Sequence, residues 1–143
     1  ENLLVPLEYA ALGRRDEKPI RDQAMGILET IGFAERADDL SADLTQVDLR
    51  KLELARAMAA KPSLLVSDEA MAGLSSSEVD EVLEILLKLN ATGVAVIMIE
   101  HIMRAVMRFS ERIVVLDAGK KIAEGSPEEI VSNREVERAY LGE

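Results

Sequence analysis

The sequence predicts an α/β fold, in which a helical opening segment is followed by a parallel sheet with flanking helices. Three observations carry that expectation. Apolar positions in residues 1–60 recur at helical spacing, and no part of that stretch reads as a strand. After Pro62 the pattern switches to short apolar runs at residues 63–67 and 94–99, separated by an amphipathic stretch long enough for a crossover helix. Gly32, Pro62 and Gly93 fall where these stretches should stop.

The elements follow in chain order. Pro19 suits a first helical turn, Ile20, Ala24, Ile27, Leu28 and Ile31 share a helical face, and Gly32 ends it. A second helix from about residue 47 to 60 places Leu52, Ala55 and Ala59 on one side and ends before Pro62. The runs 63–67 and 94–99 read as buried strands of a βαβ unit, parallel through a right-handed crossover. Between them Val79, Val82, Leu83, Leu86 and Leu89 mark one helix face, opened by a capping box of Ser75 with Glu78 and closed at Gly93. A helix over about 102–109, a strand over 113–116, a turn at Asp117, Ala118 and Gly119 and a short strand over 121–124 predict a terminal hairpin on the same sheet. Ser126 as N-cap, Pro127 at the first helical position and Glu129 as box partner start another helix.

Composition narrows the function. With 143 residues, 48% apolar and 31% charged, the chain has material for one globular core. A formal charge of −10 opposes a sequence-independent grip on nucleic acid, which needs Lys and Arg against phosphates. No cysteine is present, which removes disulfides, thiolate metal sites and Cys nucleophiles. The apolar runs are shorter than a bilayer span, so a membrane link is expected through a partner protein and not by direct insertion. The chain opens on Glu1, not Met, without a signal-peptide pattern, and the start reads as a cut.

Two pairs of residues carry candidate chemistry. Leu64-Leu65-Val66-Ser67-Asp68-Glu69 puts two acids where a parallel strand ends, the edge at which open α/β sheets bind ligands. There the first acid can serve Mg²⁺ and the second can polarise a water that attacks phosphorus. Solvated acids after a strand are the alternative reading. The second strand ends in Glu100-His101, and a neutral imidazole at the same edge can orient water or sense a phosphate. His101 also reads as a cap for the helix beginning at Ile102. A metal-dependent phosphohydrolase built from Asp68, Glu69, Glu100 and His101 is a further alternative, weakened because adjacent strand residues point to opposite faces.

In order along the chain stand Leu44-Thr45-Gln46-Val47-Asp48, Arg50-Lys51-Leu52-Glu53-Leu54-Ala55-Arg56-Ala57, Leu64 through Glu69, Ala72-Gly73-Leu74-Ser75, and Glu100-His101. The series resembles the signature, Walker B, D-loop and switch-histidine blocks of ABC ATPases. Finer wording in Met71-Ala72-Gly73-Leu74, His101-Ile102-Met103-Arg104-Ala105-Val106-Met107 and Ala139-Tyr140-Leu141-Gly142-Glu143 resembles the ATP-binding subunits of branched-chain amino acid importers.

The resemblance implies a partial P-loop NTPase fold, with residues 1–60 as the helical signature subdomain and 61–143 as the C-terminal half of the nucleotide-binding core. It implies Asp68 as the Mg²⁺ residue, Glu69 as general base and His101 as switch. Thr45, Gln46, Val47, Asp48 and Ser75 would contact ATP held by a second ATP-binding subunit. Membrane permease subunits are the other implied partners, with a cytoplasmic location at the inner face of the membrane.

The chain departs from the family's wording. The signature usually reads Ser-Gly-Gly-Gln where Thr45-Gln46-Val47-Asp48 stands, and an Asp48 facing phosphate would repel it unless it turns away. Thr45 and Asp48 also read as a helix cap and its box partner. Ala70 replaces a proline, and Ser75 replaces the D-loop acid. No G-x-x-x-x-G-K-[ST] occurs, so this chain alone is expected to hold ATP poorly, to be inactive, and to expose apolar surface. A stand-alone binding or regulatory module that kept the fold and lost the phosphate loop is the rival reading.

Overall fold

A computed structural model describes residues 2–11 and 19–141. The charged run at 14–18 and the final Gly142-Glu143 lie outside the described residues. The chain divides into two compact units, Glu1–Ile99 and Glu100–Glu143.

The first unit opens with helices α1 (Leu4–Ala11), α2 (Ile20–Thr30) and α3 (Gln46–Ala59), which pack on one another. Leu3, Leu7, Ala24, Ile31 and Phe33 are buried in this unit, as are Leu54, Ala55 and Ala59 of α3. Single 3-10 turns at Ala34–Arg36 and Ser41–Asp43 connect α2 to α3. Strand β1 (Leu64–Asp68), helix α4 (Ser76–Ala91) and strand β2 (Ala95–Ile99) follow. The Ser75–Glu78 capping box is formed, and Val79, Val82, Leu83, Ile85, Leu86 and Leu89 give α4 its buried face. An ion pair between Lys51 and Glu81 joins α3 to α4.

The two strands pair in parallel with Leu64 opposite Ala95 and Asp68 opposite Ile99. Leu65 and Ser67 are buried, whereas Leu64, Val66, Ile97 and Ile99 are each at least half exposed. The expectation of strands buried on both faces is therefore corrected: helix α4 packs on β2, and the opposite face of the pair carries no cover among the described residues. The Ser67 hydroxyl sits on the buried face with no hydrogen-bond partner among the described residues, a desolvation cost of about 1–3 kcal/mol.

The second unit comprises α5 (Met103–Phe109), β3 (Ile113–Asp117), β4 (Lys120–Gly125), α6 (Pro127–Val131) and α7 (Arg134–Leu141). Ile113, Val115, Ala123, Ile130 and Val136 form its core, with Val106, Met107 and Ile122 packed against it. The β3–β4 turn runs through Ala118 at φ +44° and Gly119 at φ +79°, the left-handed pair that matches strand twist in a tight hairpin. This hairpin is a separate two-stranded antiparallel sheet and not an extension of β1–β2, which corrects the single-sheet expectation. Hairpin pairing is closed locally by its turn and needs no neighbouring strand. Helix α7 was not anticipated, although Asn133 carries its signal: the side-chain oxygen accepts from the Glu135 and Val136 amides.

Candidate functional site

Strand β1 ends at Asp68 directly beside Ile99, the end of β2, so the carboxyl ends of the two parallel strands are level. That is the edge where such sheets present ligand-binding loops. Asp68 and Glu69 are both exposed there. Glu69 adopts φ +45°, a left-handed conformation costly for a residue with a Cβ, about 1–3 kcal/mol unless its surroundings impose it. Its surroundings do. The Glu69 amide donates to the Ile99 carbonyl at 2.9 Å, and its own carbonyl accepts from the Ala72 amide at 3.2 Å. Met71, fully buried, pins the turn, and Leu74 N–H closes it on the Met71 carbonyl at 3.2 Å.

The segment ends in the cap of α4. Ser75 donates its backbone N–H to Glu78 at 2.7 Å and its hydroxyl at 2.6 Å. The Ser75 side chain, and secondarily its backbone, hold the Glu78 carboxyl below the usual carboxylate range. Ser75 is thus engaged in capping its own helix.

The start of α3 is also closed on itself. Thr45 Oγ1 accepts from the Asp48 amide at 3.3 Å, and Asp48 Oδ2 accepts from the Thr45 amide at 3.1 Å. The same oxygen accepts from Arg36 Nη1 at 3.0 Å, and the Arg36 guanidinium lies 5.1 Å from the centre of the Phe33 ring. Asp48 is only 7% exposed. Its carboxylate therefore turns inward to a cation, which answers the repulsion raised by an acid at this position. Val47 is buried as well, so what it can offer a ligand is backbone; Thr45 and Gln46 are the exposed members of the four. Gln46 Nε2 donates to the Ala72 carbonyl at 3.4 Å. Neither the Arg36 pair nor the Gln46 contact was read from the sequence.

Burial raises the Asp48 pKa, but the Arg36 and Thr45 hydrogen bonds outweigh it, and the net shift is downward. A carboxylate depressed in the folded state stabilises the fold fully above its unfolded value and stops doing so as pH falls through the folded value. Urea midpoints of the wild-type chain are expected to drop as pH is lowered below about 4. Asp48→Asn should flatten that slope in part, since Glu78, Glu124 and Glu128 are shifted the same way. An unchanged slope would show that the Arg36 pair contributes nothing.

Glu100 and His101 open the second unit, and His101 is exposed. Ile102, not His101, occupies the N-cap position of α5, and the Ile102 side chain makes no capping hydrogen bond. Among the described residues no three of His, Asp and Glu gather as a metal cage would require. Mg²⁺ does not need one, because one or two carboxylates, phosphate oxygens and water complete its shell. The exposed Asp68 carboxyl at the strand end suits that donor set.

Residues 120–143 match the family described as branched-chain amino acid ATP-binding cassette transporter. The high-affinity branched-chain amino acid transport ATP-binding protein LivG of Salmonella typhimurium is 42% identical over 131 residues, which are 91% of this chain and 51% of LivG. The corresponding BraF protein of Pseudomonas aeruginosa is 38% identical over 143 residues, 99% of this chain and 56% of BraF. The chain thus spans about half the length of the curated relatives it matches. Among solved structures, the ADP conformation of an ATP-binding cassette of an ABC transporter superposes with a TM-score of 0.80 at 26% identity, covering 90% of this chain and 52% of that one.

Proposed function

Given that the chain belongs to the ABC transporter ATP-binding family, on its branched-chain amino acid side, we propose that it supplies the part of an importer's ATP-hydrolysing domain that attacks the γ-phosphate. The observation that carries this reading is Asp68-Glu69 at the carboxyl end of β1, level with the end of β2, with Glu69 held in a left-handed turn. Residues 1–60 act as the signature subdomain and 61–143 as the second half of the nucleotide-binding core.

In this reading Asp68 holds Mg²⁺, which when bound neutralises charge on the phosphates. Glu69 accepts a proton from the attacking water, and His101 donates to the γ-phosphate or the water. Thr45 and Gln46 at the start of α3, with Ser75, face nucleotide on a second ATP-binding subunit. Substrate choice lies with the permease and an external binding protein, so the amino acid class follows only from the relatives. The chain works at the cytoplasmic face of the membrane; no helix among the described residues is long and apolar enough to cross one.

The backbone cradle and lysine of a phosphate loop do not occur in these 143 residues. Equilibrium dialysis of this chain at millimolar ATP is therefore expected to show no retention, and fusion to a phosphate-loop half of a relative should restore it. Micromolar affinity in this chain by itself would favour a stand-alone nucleotide-binding module.

A further inference from the structure

Glu69 sits in a backbone conformation that needs outside support, and the supports can be followed bond by bond. Its carbonyl is held by the Ala72 amide at 3.2 Å. The Ala72 carbonyl, in turn, accepts from Gln46 Nε2 at 3.4 Å, across 26 residues of chain. The next residue, Gly73, has φ +78°, and a Cβ placed on it would lie 2.9 Å from that same Nε2. Position 73 therefore lacks a side chain where the Gln46 amide passes. Gln46 is the first residue of α3, whose opposite side is locked by the Thr45–Asp48 box and Arg36. A residue without a long donor side chain at position 46 could not bridge from that helix to the turn.

We propose that Gln46 is a positioning residue for Glu69: its side-chain amide ties the first turn of α3 to the Ala72–Gly73 turn and so sets the left-handed backbone of Glu69. The link makes the start of α3 and the acid at the end of β1 one mechanical piece. Any displacement of the α3 N-terminus then reaches Glu69 through Ala72. The importance of this for hydrolysis rests on the role of Glu69 given above, while the link itself does not.

The test uses the full 143-residue chain, ¹⁵N-labelled and without nucleotide, so that its outcome is independent of whether Glu69 acts as a base. Gln46→Ala removes the donor, and Gln46→Met keeps the reach of the side chain without donating. Gln46 is exposed, so neither change opens the core. Both variants are expected to shift the Gly73 and Leu74 amide resonances and to move the three-bond couplings of Glu69 away from left-handed φ. A general structural contact would move the first readout and leave the second. Gly73→Ala should destabilise the wild-type chain more than it destabilises the Gln46→Ala chain, by about two- to twelvefold in the unfolding constant, the span of one hydrogen bond. Unchanged Glu69 couplings in both variants, or an equal effect of Gly73→Ala in the two backgrounds, overturns the proposal.

Discussion

Glu69→Gln is expected to lower ATP turnover by about a hundredfold or more, the loss that follows removal of a positioned general base. The measurement is made on the chain fused to the phosphate-loop half of a relative and assembled in the proposed form, as a dimer with the permease subunits of that relative. Gln keeps the volume of Glu and loses only the carboxylate proposed to polarise the attacking water, so nucleotide should still bind and the dimer should stay closed on it. Asp68→Asn is expected to weaken Mg²⁺-dependent binding itself, and His101→Ala to slow hydrolysis with little change in affinity. The three phenotypes should differ because the proposed function gives one residue to the metal, one to the water and one to the phosphate. Parental turnover in Glu69→Gln would falsify its assignment as base and return Asp68-Glu69 to a pair of solvated acids after a strand.

Met71→Ala is expected to cost about 2–5 kcal/mol in urea unfolding, because it empties a fully buried site that a loop cannot easily collapse to refill. Met71→Leu, nearly equal in volume, should cost less than about 1.5 kcal/mol. The contrast has a functional edge. Met71 lies two residues past Glu69 inside the turn closed by Ala72 and Leu74, so the alanine variant should loosen the segment that carries the acid. Amide exchange at Ala72 and Leu74 that rises no more than elsewhere in the chain would mean that Met71 is ordinary core.

Local rules were legible wherever the cause lies within a few residues. The Ser75–Glu78, Ser126–Glu129 and Thr45–Asp48 boxes all form where the spacing placed them, since each needs only residues three apart. The helix over α4 and the parallel pairing of β1 with β2 followed from apolar period and crossover length. The hairpin turn at Ala118–Gly119 was equally local, but its membership in a sheet was not, because pairing partners are chosen in space.

For the candidate site, the sequence alone singled out the residues proposed to carry chemistry, Asp68 and Glu69 after a strand and His101 after the next, and supplied the order of blocks that ties the chain to its family. Tertiary structure decided how those residues are held. Asp48 turns from a liability into a neutralised cap only because Arg36, twelve residues earlier, folds back onto it. The exposed side of β1–β2 comes from what packs on the pair, not from the strands' own apolar runs. Glu69 takes its left-handed backbone from Ile99, Ala72 and, through Ala72, Gln46. The physical reason is the same in each case: capping and periodicity are set by bonds along the chain, whereas charge neutralisation, burial and backbone strain depend on which distant segment supplies the partner.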